Sequence, residues 1–331
     1  MSLASHECRF RPAELARLAG LPLVSALALG GALHVAAALR LFPPPRPALD
    51  VDRTILLHQA HASRHGPAAD VLLMGDSSCL TGISATRLAE RLGRRVLNLA
   101  TLSYASLAVQ GVLLQEYLAA HPGRVRTVVL LMHPEGLRLQ TTPAYFDEVL
   151  RDCLAGRDTA PDEGLAGQLD YWTGVDLCRS RFLGRWFPIP LHGPFAPVHG
   201  FTTDLWRYLE QHDGSLVDPG RFDPRAASGN AEYRLARRYE AESFSFRAAV
   251  PDGVRLAVGL TPVPASFALA GHAAACRENL AKWASWLKAD RVLGDLPLVL
   301  PDGCFASVTH LDAEGVDRFT EKLAAELGRD E

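Results

Sequence analysis

The chain has 331 residues, enough for one large α/β domain or two small ones, and 48% of them are hydrophobic. Its 34 basic and 37 acidic residues nearly cancel, leaving no electrostatic footprint for nucleic acid and no polybasic tail for a membrane surface. Composition also excludes a disordered chain.

Residues 18–39 contain no Asp, Glu or Lys and no Arg, and are mostly Leu, Ala, Val and Gly. About 20 apolar residues cross a bilayer as a helix, so this segment is expected to be a membrane anchor contacting lipid. Its length and lack of charge set it apart from a buried core helix. A cleaved signal peptide is the rival reading, because Ala36-Ala37-Ala38 resembles a small-residue cleavage site. Arg9, Arg11 and Arg17 precede the span and Arg40, Arg46 and Arg53 follow it, so the charge bias is nearly even. The expected topology is single-pass, with residues 1–17 cytoplasmic and the globular part extracytoplasmic. Residues 40–69 read as a linker, proline-rich at first and then weakly amphipathic from Ile55 to His61. His58, His61 and His65 within it read as solvated side chains. The cysteines show no C-x-x-C spacing, and no metal or cofactor is implied. A Cys153–Cys178 bridge and isolated buried thiols are both open.

The globular domain is expected over residues 70–331. Val71-Leu72-Leu73-Met74 is a continuous apolar run ending in Gly75-Asp76, as suits a buried parallel strand and its turn. A helix is expected from Ser84 to Leu92, a strand at Val96–Leu99, a helix from Leu107 to Leu118, and a strand at Val128–Met132. From about residue 138 to 250 no strand stands out, and the stretch reads as a mostly helical insertion. Its scattered aromatics include Tyr171, Trp172, Trp186, Trp206, Tyr208, Phe244 and Phe246, which suit either a small core of their own or stacking on sugar rings. Strand character returns at Val254–Leu260, closed by Thr261-Pro262-Val263-Pro264. A helix from Gly271 to Ala289, a strand at Leu296–Leu300 and a helix from Asp312 to Leu327 complete the pattern. The βαβ alternation predicts a five-stranded parallel sheet in a flavodoxin-like three-layer sandwich.

In open parallel sheets, ligands bind beyond the carboxyl ends of the strands. The first strand ends in Gly75-Asp76-Ser77-Ser78 and the last leads into Phe305 to His310. Ser77 and His310 can thus meet on one edge, where a histidine taking the serine proton makes a nucleophile. Ser78 and Cys79 are neighbours not assigned that role.

The Gly75-Asp76-Ser77 block, the second block beginning Asn98-Leu99, and the late Phe305-x-x-x-x-His310-Leu311-x-x-x-Gly315 resemble SGNH (GDSL-type) hydrolases. The membrane-tethered members that work in polysaccharide O-acetylation, such as the alginate O-acetylation accessory proteins, are the most similar in layout. The resemblance covers residues 70–137 and 254–327. It implies esterase or O-acyl (acetyl) transferase chemistry on an envelope glycan, with a membrane acyltransferase as partner. It also implies that the backbone N–H groups of Ser77 and Ser103 stabilise an oxyanion. Two family positions are substituted. Glu135 stands where an Asn amide is usual, and Ser307 stands where an Asp three residues before the histidine is usual. The expectation is a Ser77–His310 dyad without its acid. The alternative is a catalytically degenerate binding or scaffold protein of a polysaccharide acylation or assembly complex.

Overall fold

The computed structural model describes residues 11–38, 50–156, 190–191, 193–225, 229 and 233–330. The chain divides into two units. The described part of one is helix α1 (Pro12–Ala38), whose segment Pro12–Ala32 is long and apolar enough to cross a membrane. It begins earlier than the expected span, runs through Pro22, and exposes Leu18, Leu21, Leu23, Val24, Leu27 and Leu29. Residue 39 and the proline-rich start of the expected linker lie outside the described residues, as do Cys8 and Cys178, and with Cys178 the candidate bridge to Cys153.

The other unit is an α/β domain. Its elements in order are α2 (Val51–His65), β1 (Val71–Gly75), α3 (Ser77–Gly82), α4 (Ala85–Leu92), β2 (Val96–Asn98), α5 (Leu107–Ala120), β3 (Thr127–Met132), α6 (Pro134–Leu137) and α7 (Ala144–Ala155). Then come α8 (Ala196–His199), α9 (Thr202–Gln211), α10 (Arg238–Ala249), β4 (Arg255–Leu260), β5 (Val263–Pro264), α11 (His272–Leu287), β6 (Arg291–Val292), β7 (Val299–Leu300) and α12 (Ala313–Leu327). Five strands form a sheet in the order β2-β1-β3-β4-β6, with every pairing parallel. β1 and β3 are buried along their whole length, which is why they read as unbroken apolar runs rather than alternating ones.

Helix starts follow their caps. Ser84, Ser106 and Asp312 each accept a backbone N–H of the first turn with the side chain, fixing the entries of α4, α5 and α12. The helices pack in two groups. One joins α5 to α2, α7 and α10, and α10 to α11; the other joins α12 to α3 and α4.

Three expectations need correction. The fifth strand of the sheet is Arg291–Val292, not Leu296–Leu300. Its two residues are too short and too polar to stand out, whereas Val299–Leu300 pairs in parallel with Val263–Pro264 in a separate two-stranded sheet. Second, the stretch 138–250 is not wholly an insertion. Its last helix, α10, packs on α5 and α11 and is the helical crossover that a parallel β3–β4 connection requires.

Third, the expected linker ends in a core helix. α2 buries Ile55, Leu56, Ala60 and Ala62 against α5, α7 and α9. His58 is not solvated. It lies 3% exposed, edge-on to Trp206 at 5.0 Å, and burial pushes its pKa down to about 4. Trp206 and Phe246 are buried too, and Phe244 is exposed. Tyr171, Trp172 and Trp186 lie outside the described residues.

A fully buried leucine is costly to truncate. Leu56→Ala is expected to lower the unfolding free energy by about 2–5 kcal/mol in urea denaturation. A solvated linker residue would change it by no more than about 0.5 kcal/mol.

Candidate active site

The site lies beyond the carboxyl ends of β1 and β2. β1 ends at Gly75, whose φ is +143°, and a Cβ there would stand 1.8 Å from the carbonyl oxygen of Leu131. Only glycine fits both the conformation and the neighbouring strand. Asp76 then caps α3, and Ser77 takes the first helical position.

Ser77 Oγ lies 3.0 Å from His310 Nε2 and 2.8 Å from Ser103 Oγ. The two residues expected to converge are therefore within hydrogen-bond reach across the length of the chain. On its other side, His310 Nδ1 lies 2.6 Å from Asp218 Oδ2. The expectation of a histidine without an acid does not hold, because the carboxylate comes from the segment between β3 and β4. Asp218 also accepts the N–H of Gly220 at 2.8 Å. Burial alone would push its carboxyl up, but the hydrogen bonds from His310 and Gly220 outweigh it and hold the group below its ordinary value.

Ser307 does other work. Its Oγ accepts the N–H groups of Thr309 and His310 at 3.3 and 3.1 Å, which folds the turn that presents the imidazole. Glu135 is paired with Arg138 at 2.9 Å, its N–H donates to His133 Nδ1, and its charge is felt by Tyr233, Cys276 and His272. Ser103 is partly buried on the loop after β2, with its hydroxyl on Ser77.

Ser78 and Cys79 are occupied elsewhere. Ser78 Oγ lies 2.5 Å from Asp76 Oδ1 and 2.7 Å from Thr261 Oγ1, which gives the Thr261-Pro262 turn a contact beneath the site. Cys79 is fully buried, and burial raises its thiol pKa well above the ordinary value. Asp76 is buried too, and burial raises its carboxyl against the opposing hydrogen bonds from Ser78 and His133. His133 is held neutral, pushed down to about 3 by burial and by the neighbouring His310 and His272.

The loops are held by residues that sequence reasoning passed over. Gln59 of α2 donates to the carbonyls of Asn98 and Ala100 at 3.2 and 2.8 Å, fixing the loop to Ser103. Asp218 had one local mark: Asp218-Pro219-Gly220 is a turn sequence, and Asp218 Oδ1 does accept the N–H two residues on.

Compared with protein-family models, with curated proteins and with solved structures, the chain matches none.

The lowered carboxyl of Asp218 gives a signed pH dependence. Its contribution to stability is present above the ordinary value of 3.8 and is lost as the pH falls through the lower folded value. The stability gap between wild type and Asp218→Asn is therefore expected to be constant at neutral pH and to shrink below about pH 3.8. Urea denaturation across that range measures it.

Proposed function

We propose that this protein is a serine esterase or O-acyltransferase in which Ser77 is the nucleophile, His310 its base and Asp218 the acid that orients the imidazole. The observation that carries this reading is the continuous relay of Asp218, His310 and Ser77, with contacts of 2.6 and 3.0 Å. Such a constellation is recognised by geometry and roles rather than by sequence position. It supports a triad in place of the expected dyad.

In the first half-reaction Ser77 Oγ attacks the ester carbonyl carbon while its proton passes to His310 Nε2. The negative charge of Asp218 stabilises the imidazolium that forms. The Ser77 N–H lies in the first turn of α3, where backbone donors have no partner within the helix, and it serves as oxyanion donor. Ser103 is the second donor, through its N–H and its nearby hydroxyl. Collapse expels the alcohol, which takes the proton from His310 and leaves an acyl-Ser77. Water or an acceptor hydroxyl then repeats the steps in reverse.

The finer expectations belong to the same proposal. The strand order β2-β1-β3-β4-β6 suits a flavodoxin-like sandwich of the SGNH kind. α1 serves as the membrane anchor, with the α/β domain on the extracytoplasmic side. An envelope glycan as acceptor and a membrane acyltransferase as partner rest on the resemblance to polysaccharide O-acetylation proteins. One observation favours the degenerate binding protein instead. Glu135, at the place of the family's third oxyanion donor, is turned to Arg138, and loss of such a donor costs about 3–4 kcal/mol of barrier.

An activated short-chain ester assay on the full chain in detergent decides between them. Ser77→Ala is expected to abolish turnover, and Ser78→Ala to keep it. Asp218→Asn should lower kcat by roughly 10⁴-fold, the cost of the wrong tautomer. Ser307→Asp should bring no gain, because His310 Nδ1 already has its carboxylate. Activity surviving in Ser77→Ala would overturn the assignment, and an inactive but folded wild type would favour the binding protein.

A further inference from the structure

On that reading of Ser77, we infer that the acyl group it accepts is a neutral aliphatic chain of about four to eight carbons rather than acetyl. Ser77 and His310 form part of the wall of a cavity of about 170 Å³. The rest of its described lining is mainly apolar. Val51 and Ile55 come from α2, Leu80 from α3, Leu102 from the loop after β2, Phe146 from α7 and Leu216 from the segment that carries Asp218.

The polar side chains on the lining are mostly committed. Thr81 Oγ1 donates to the carbonyl of Ser77 at 2.8 Å, and Ser103 Oγ is bonded to Ser77 Oγ. Asp52 stands exposed on the lining, and its carboxylate disfavours an acyl chain that ends in a negative charge. An apolar cavity of about 150 Å³ takes up a benzene ring, six carbons, so an acetyl group would leave most of this one empty.

Ser77 and His310 are both on the cavity wall, and the cavity is assigned to the acyl chain of the ester rather than to its alcohol. The bond from Ser77 Oγ to the acyl carbon forms as the bond to the alcohol oxygen breaks. The Ser77 proton leaves with the alcohol through His310. The acyl chain stays in the cavity until water or another hydroxyl takes the acyl group and returns a proton to Ser77. Each methylene moved from water into an apolar wall is worth roughly fourfold in kcat/KM.

The test is a series of p-nitrophenyl esters from acetate to decanoate, with the full chain in detergent below the level that sequesters the esters. A fluorophosphonate probe on the same samples reports whether Ser77 is reactive. The expected result is a kcat/KM that rises at least tenfold from acetate to an optimum between butyrate and octanoate, then falls at decanoate. Leu216→Trp, which fills the cavity, should lower the hexanoate-to-acetate ratio at least tenfold. Leu80→Phe is the second variant should the first fail to fold. A wild type that prefers acetate, or a ratio unmoved by either folded variant, overturns the inference and leaves the esterase reading standing if Ser77 is labelled. No hydrolysis of any ester together with no labelling of Ser77 overturns both.

Discussion

Asn98, at the end of β2, holds several segments at once with a fully buried side chain and its own backbone. Its amide nitrogen donates to the carbonyl of Cys79 at 3.2 Å in α3 and to Ser215 Oγ at 3.3 Å. Its Oδ1 accepts the N–H of Ala100, its backbone N–H donates to the carbonyl of Asp213, and its carbonyl accepts Gln59 of α2. Gly214 passes so close that a Cβ there would stand 2.0 Å from the carbonyl oxygen of Asn98. One residue therefore ties the helix that starts with Ser77, the loop that bears Ser103 and the segment that delivers Asp218. A buried amide stripped of such partners costs about 1–3 kcal/mol per unsatisfied group, so separating any of these segments from Asn98 is costly.

Next to Ser77 lies a second layer in which polarity is spent rather than offered. Asp76 accepts from Ser78 and from the N–H of His133, and Ser78 in turn meets Thr261. A buried carboxyl is tolerable only when hydrogen-bonded, and this one is. The arrangement links the ends of β1, β3 and β4. It also explains why two acids so close in kind differ in role. Asp76 is raised by burial and faces donors that fix the backbone, whereas Asp218 is lowered and faces the imidazole.

The parts legible in the sequence are those where one physical signal dominates. Continuous apolar runs marked β1 and β3, because both faces of these strands are buried. The helices expected from Ser84 and from Asp312 are found as α4 and α12, with those two residues as their N-caps. Ser77 was legible from its place just after β1, whereas His310 follows β7, a strand outside the five-stranded sheet, and was marked by the Phe305-x-x-x-x-His310-Leu311 block rather than by a shared sheet edge. Asp218 was not legible, since it lies in a stretch without periodicity and reaches His310 across 92 positions of sequence. The fifth sheet strand, Arg291–Val292, is too short to carry a pattern. α2 was missed for a different reason. Its buried face is interrupted by the polar residues Arg53, Thr54, His58, Gln59 and Ser63: Arg53 and Gln59 find their partners in α7 and at the end of β2, while Thr54 and Ser63 bond the carbonyls of Asp50 and Ala60 within the helix and its cap.

The source of the acid changes what a site of this kind can do. An aspartate three residues before the histidine would share its turn, and the imidazole would be oriented whatever covered the strand ends. Here that turn is stiffened by Ser307, and the carboxylate arrives with the covering segment. Leu216 of the same segment lines the cavity beside Ser77, and its N–H is held by the carbonyl of Leu80 in α3. On the esterase reading, the residue that shapes the acyl cavity stands two positions from the one that holds the imidazole tautomer. A displacement of this segment that widened the cavity would also lengthen a 2.6 Å contact on which turnover depends. On that reading, acyl selectivity and the rate of the chemical step would be coupled through the 213–220 segment, whose residues Asp213 and Gly214 abut Asn98.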